Sequence, residues 1–116
     1  MTIVYQSNTG FTQAYAEMLG KAAHRKGCHW DEALTRLDQG SPVLYMGPLM
    51  AGHVSGLDKA RKRFQVLAVC GVGMAPPGPE VMASMQRANY VGEAPLFYLR
   101  GGWAPKLSSI LLRRNR

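Results

Sequence analysis

The order of sequence patterns predicts an α/β domain, a parallel sheet packed between two layers of helices. Three observations carry the expectation. Short β-branched or apolar runs alternate with stretches of helical spacing along the whole chain. The run Val43–Gly47 is apolar throughout and Phe64–Cys70 is apolar but for Gln65, as strands covered on both faces are. Loops rich in Gly, Ser, Thr and Pro separate these elements.

Thr2-Ile3-Val4-Tyr5-Gln6 reads as the first strand, ended by the polar turn Ser7-Asn8-Thr9-Gly10. Phe11, Ala14, Tyr15, Met18, Leu19 and Ala22 recur at spacings of three and four, which predicts a helix with that stripe inward and Gly27 as its stop. Residues 28–42 leave room for a short second strand at Cys28-His29-Trp30, or none, and for two helical turns over 31–38. Gly40-Ser41-Pro42 is a turn before the strand at Val43. The segment 48–53 reads as a loop, and Ser55 with Asp58 has the spacing of a capping box for a short helix to about Arg63. After the strand Phe64–Cys70, residues 71–79 hold three prolines and three glycines and are expected to be irregular. Glu80–Tyr90 reads as a helix through Val81, Met82 and Met85, Ala94–Leu99 as a strand, 100–105 as a loop and 106–114 as a closing helix.

Composition narrows the classes. The 116 residues are 47% hydrophobic and 18% charged, which suits one compact domain spanning 1–116 and excludes a disordered chain. No apolar run approaches the roughly 20 residues of a membrane-spanning helix. The opening MTIVYQSNTG lacks the basic flank and apolar stretch of a secretion signal. Cys28 and Cys70 have no metal-type spacing and are expected to be reduced thiols in a cytoplasmic protein, small core residues in role.

Fourteen Lys and Arg against seven Asp and Glu give a net charge of +7, which favours anionic partners. The cations gather at 21–26, 59–63 and 113–116, and none precedes Lys21. No zinc-finger or RNP motif accompanies them, and little aromatic interleaving, so solvated helix ends are a better reading than a nucleic-acid stripe. Leu107, Ile110 and Leu111 share a face near the terminal arginines, a pattern open to a lipid-surface contact or to simple stabilisation of a helix C-terminus.

In an open parallel sheet, ligands bind beyond the carboxyl ends of the strands. The loops 7–12, 48–53 and 100–105 leave those ends. Ser7, Asn8, Thr9, Gly10, Phe11 and Thr12 supply hydroxyls, an amide and a permissive glycine at the start of a helix, which suits a phosphate held by dipoles without a cation. A polar turn that only caps the helix is the alternative. The loop carries neither the Gly-Lys-Ser/Thr of a Walker loop nor Gly-x-Gly-x-x-Gly. His53 is either a proton donor in its loop or an idle surface residue.

The stretch Thr2–Thr12, a strand followed by Ser-x-Thr-Gly-x-Thr, resembles the opening of flavodoxin-like proteins. The resemblance extends to Leu44-Tyr45-Met46-Gly47-Pro48, Ala51-Gly52-His53 and Tyr98-Leu99-Arg100-Gly101-Gly102-Trp103, and Lys106-Leu107-Ser108 is similar to the flavodoxin-domain proteins allied to bacterial protoporphyrinogen dehydrogenase. It implies a sheet in the order 2-1-3-4-5 with strand 2 short or missing, and FMN at its carboxyl edge. By matching position, Ser7, Asn8, Thr9, Gly10, Phe11 and Thr12 would cradle the phosphate. Pro48, Leu49, Met50, Ala51 and Gly52 would lie along one side of the ring, and Arg100, Gly101, Gly102 and Trp103 along the other. Trp103 could stack on the ring or serve only as a packing residue.

The resemblance implies an electron-transfer flavoprotein or an FMN-dependent oxidoreductase acting on an anionic partner or small-molecule substrate, a porphyrinogen being one candidate. Simple flavodoxin carriers are acidic, and this chain is basic. The alternative is a flavodoxin-like module that has lost flavin and works in protein interaction, with dimerisation through the edge at the short second strand.

Overall fold

A computed structural model describes residues 1–7, 10–89 and 91–100. The elements run β1 (Thr2–Tyr5), α1 (Phe11–Ala23), β2 (Gly27–His29), α2 (Trp30–Arg36), β3 (Pro42–Met50), β4 (His53–Val54), α3 (Leu57–Arg63), β5 (Gln65–Gly73), α4 (Pro79–Ala88) and β6 (Leu96–Arg100). The sheet order is β2-β1-β3-β5-β6, all parallel, with the two-residue β4 pairing antiparallel to β3. Leaving β4 aside, this is the expected order 2-1-3-4-5, and the second strand is present and short.

Alternation along the strands splits the core in two. Val4, Val43, Tyr45 and Val69 point to the side of α2, α3 and α4, where they meet Trp30, Ala33, Leu57, Ala60, Phe64 and Met85. Ile3, Tyr5, Met46, Cys70, Val72 and Leu99 point to the side of α1, against Tyr15 and Ala16. Trp30 stands edge-on to Tyr45 at 6.5 Å and to Phe64 at 5.8 Å between ring centroids.

Helix α1 buries a different stripe from the expected one. Thr12, Tyr15, Ala16 and Gly20 face the sheet, while Phe11, Ala14, Met18 and Ala22 are exposed. Close approach selects the small residues here. A Cβ on Gly20 would lie 2.6 Å from the carbonyl oxygen of Arg25. The helix also ends before Gly27, at His24, which takes the left-handed conformation at φ 54° and leaves Gly27 free to open β2.

Strands β3 and β5 are longer than their apolar runs. β5 continues through Gly71-Val72-Gly73, inside the stretch expected to be irregular. The glycines allow it. A Cβ on Gly71 would sit 2.8 Å from the Met85 methyl and 2.9 Å from Leu49, so side chains from α4 and β3 occupy that space instead. Ser55 and Asp58 form no capping box. The N-cap of α3 is Gly56 at φ 80°, with no side-chain cap. The expected closing helix over 106–114 lies outside the described residues.

Candidate functional site

The strands deliver four chain segments to the carboxyl edge of the sheet. The first joins β1 to α1. Gln6 donates its N–H to the carbonyl of Met46 at 3.0 Å, tying the end of β1 to β3. Ser7 Oγ then accepts the N–H of Gly10 at 3.0 Å. Gly10 has φ 88°, a conformation that glycine adopts without cost and that lets the turn enter the helix. Among the described residues no side chain caps helix α1, and its first turn holds no acidic residue, so its amide dipoles meet no counter-charge there. Phe11 is exposed at the helix start, whereas Thr12 is buried on the sheet side. Asn8 and Thr9 lie outside the described residues.

The second segment is a hairpin where the sequence reads as a loop. Pro48, Leu49 and Met50 prolong β3, and Leu49 pairs with Val54 and Met50 with His53. Ala51 and Gly52, at φ 53° and 85°, make the two-residue turn, both in the left-handed region as a type I′ turn demands. Asn89, buried at the end of α4, donates to the carbonyls of Gly52 and Met85 at 2.8 and 2.9 Å and accepts the N–H of Val54 at 2.9 Å. His53 is exposed on this hairpin, beside a shallow depression shared with Asp58 and Lys59.

The third segment follows β5 and escaped the sequence reading. Residues 73–79, with Leu49, Gly52, Val81, Ser84 and Tyr98, line an open cleft of about 820 Å³. Its walls are mainly apolar, with the Ser84 hydroxyl and the Glu80 carboxylate as polar members. Tyr98 donates its hydroxyl to the carbonyl of Ala75 at 2.5 Å, which fixes the loop over β6. Partial burial raises the Tyr98 phenol above its ordinary value, outweighing the lowering effect of Arg100. Met50 and Met74 stand exposed by 57% and 64%. The signal available in the sequence was positional: this loop leaves the same edge as the other three.

The fourth segment begins at Arg100, the last residue of β6, whose carbonyl accepts the hydroxyl of Tyr15. Gly101, Gly102 and Trp103 lie outside the described residues. Between the segments, Tyr45 donates its hydroxyl to the carbonyl of Ser55 at 2.5 Å, with Gln6 Oε1 at 3.3 Å. One phenolic proton serves one of these oxygens well. Turning the Gln6 amide would let its nitrogen donate to the phenol instead, which satisfies both groups. Burial holds the Tyr45 phenol far above the usual tyrosine range.

Among the described residues no group of three or more His, Cys, Asp or Glu side chains comes together to hold a metal. No helix among them is long and apolar enough to cross a membrane.

No protein-family model matches the chain, and no curated protein matches it. A solved structure does, a flavodoxin from the domain Archaea, at TM-score 0.52 and 14% identity over 93% of this chain and 88% of that one. At that identity the likeness concerns the fold, and it agrees with the strand order read from the hydrogen bonds. The chain therefore has a flavodoxin-like fold.

Proposed function

We propose that the chain is an FMN-binding, flavodoxin-like redox protein that exchanges electrons with an anionic partner or small molecule. The observation that supports it most is the presence, at one sheet edge, of a helix start that no described side chain caps and of an open, mainly apolar cleft of about 820 Å³.

The residues present fit the cofactor. The Ser7 hydroxyl accepts from Gly10 through its oxygen, so its proton stays available for a phosphate oxygen. The first-turn amides of α1 add the dipole of a 13-residue helix. By matching position Asn8, Thr9, Gly10 and Phe11 would complete the cradle, and Thr12, its side chain buried on the sheet side, would offer only its backbone N–H. Leu49, Met50, Ala51 and Gly52 line one side of the ring site, and the loop from Gly73 to Pro77 shields it from water. By matching position Arg100, Gly101, Gly102 and Trp103 would take the remaining side. Flavin supplies the one- and two-electron chemistry, while the protein binds, orients and shields it.

Titration of the purified chain with FMN, followed by quenching of flavin fluorescence, tests this reading. Saturable quenching at micromolar protein supports it, and its absence overturns it. Copurified flavin, seen as yellow colour and visible absorption, gives an independent check.

A further inference from the structure

We propose that the amino edge of the sheet is a docking surface for an anionic lipid membrane, with the cleft and the start of α1 facing away from it. The inference stands apart from the flavin reading. In a right-handed βαβ succession every helix runs back toward the amino edge, so all four helices end there. Lys21, Arg25 and Lys26 come from the end of α1 and the turn after it, Arg36 from α2, Arg61, Lys62 and Arg63 from α3 and Arg87 from α4, with Arg63 turned inward to donate to the carbonyls of Leu34 and Leu37 at 3.1 and 3.2 Å. Among the described residues Asp38 and Glu93 lie at that edge, and Glu32 reaches it as the ion-pair partner of Arg36 at 3.7 Å. Elsewhere in the described chain the balance reverses, with Lys59 and Arg100 against Glu17, Asp31, Asp58 and Glu80.

Part of this separation has a local cause. Cations stabilise helix C-termini and acids stabilise N-termini, and Asp31, Glu32, Asp58 and Glu80 sit in first turns. That accounts for Lys21, Arg36, Arg61, Lys62, Arg63 and Arg87 but not for Arg25 and Lys26, which follow α1. The result in either case is a polar molecule with its positive pole opposite the cleft. Backbone bonds keep the pole together: Ile3 donates to the carbonyl of Lys26 at 3.0 Å, Gly40 to that of Arg63 at 2.8 Å and Gln65 to that of Ser41 at 3.0 Å.

A plane suits this pole better than a groove. The cations come from helices on both faces of the sheet, in a molecule 35 × 30 × 29 Å across. That spread exceeds a DNA major groove of about 12 Å. Exposed aromatic side chains, the usual platform for unpaired bases, are lacking there among the described residues. Exposed aliphatic ones are present instead: Met1, Leu34 and Leu67 are each 40–43% exposed near this edge. Basic groups with scattered apolar side chains fit an acidic bilayer, where each cation at the surface adds to binding.

The test is sedimentation of the full chain with phosphatidylcholine vesicles, with and without about 30 mol% phosphatidylglycerol, at about 50 and about 300 mM salt. Binding to the acidic vesicles alone, lost at the higher salt, is expected. Lys26→Ala/Lys62→Ala should weaken it on the order of tenfold. Gln13→Glu/Ala14→Glu changes net charge equally at the opposite end and should leave binding within about twofold, since charges beyond a Debye length are screened. Circular dichroism checks that both variants fold, and single Lys26→Ala and Lys62→Ala variants replace the pair if it does not. Equal weakening by both pairs, equal binding to neutral vesicles, no binding at all, or displacement from acidic vesicles by an equal charge of duplex DNA overturns the proposal.

Discussion

The side-chain amide of Asn89 donates to the carbonyl of Gly52 at 2.8 Å while its oxygen accepts the N–H of Val54 at 2.9 Å, so one residue at the end of α4 clamps the turn and the second arm of the β3–β4 hairpin. Asn89 is 8% exposed, and these groups have no ready exchange with water. Asn89→Ala leaves a buried N–H and a carbonyl unpaired, and it should cost about 2–3 kcal/mol. Urea denaturation measures this, and a change under about 0.5 kcal/mol would show that water replaces the amide. Asn89→Asp keeps the acceptor for Val54 but loses both donors, so it should not restore stability.

Glycines at the edge separate rigid from yielding neighbours. A Cβ on Gly47 would lie 2.6 Å from the Ser55 carbonyl oxygen, which is backbone and already accepts the Tyr45 hydroxyl. On Gly71 it would meet the Met85 methyl at 2.8 Å, the far end of a flexible side chain. Gly47→Ala should therefore cost more than Gly71→Ala, about 3 kcal/mol against about 1–2. Thermal or urea unfolding of the two variants decides it, and the reverse order would contradict the packing described.

These contacts mark what the sequence could and could not say. Strands β1, β3 and β5 were legible because β-branched and apolar runs need two covered faces. The inward stripe of α1 was not, because it is chosen by where the backbone must come close, and Ala16 and Gly20 carry little hydrophobic signal. The Ala51-Gly52 turn lacks the Asn-Gly signature of a two-residue hairpin, and the clamp that holds it comes from Asn89, far along the chain. The entry into α1 was legible as a polar turn from its hydroxyls, Gly10 and the helical spacing behind it. Residues 73–79 follow a strand, so the edge they leave was legible from their position, but composition does not say that they wall a cleft or that Tyr98 pins them.

Tyr45 should make the fold sensitive to alkali. Its phenol is raised above the ordinary tyrosine value near 10 by burial, so the unfolded chain releases that proton first as pH rises. Above about pH 10 the unfolded state then binds fewer protons, and stability falls with increasing pH. Tyr5 and Tyr98 are raised also, with burial the main cause, and act in the same direction. Tyr45→Phe should lose about 1 kcal/mol at pH 7 with its bond to Ser55, yet show a shallower decline between about pH 9 and 11. Urea midpoints across that range test the slope, and parallel declines would exclude Tyr45 as the main contributor.

Cys28 and Cys70 are buried and form no disulfide. Burial, with Glu32 nearby, pushes the Cys28 thiol up, so little thiolate is present near neutrality. A thiol reagent such as dithionitrobenzoate at about pH 8 should react with neither residue rapidly in the folded chain, and with both in denaturant. Rapid modification of the native protein would mean that β2 or β5 opens readily.

The phosphate half of the flavin site can be separated from the ring half by comparing FMN with riboflavin. Ser7→Ala removes the acceptor that holds the Gly10 N–H, and with it the hydroxyl proton that the proposed site would offer to a phosphate oxygen. A hydrogen bond to a charged group contributes about 1.5–3 kcal/mol, so FMN affinity should fall at least about tenfold. Riboflavin, which has no phosphate, should bind Ser7→Ala and the parent chain within about twofold of each other. Because the turn and the helix behind it contain no cation before Lys21, FMN affinity should also change little, less than about threefold, between about 50 and 300 mM salt. Equal weakening of both flavins would instead assign Ser7 to the shape of the turn. A steep salt dependence would reveal that a cation from elsewhere in the chain reaches the phosphate.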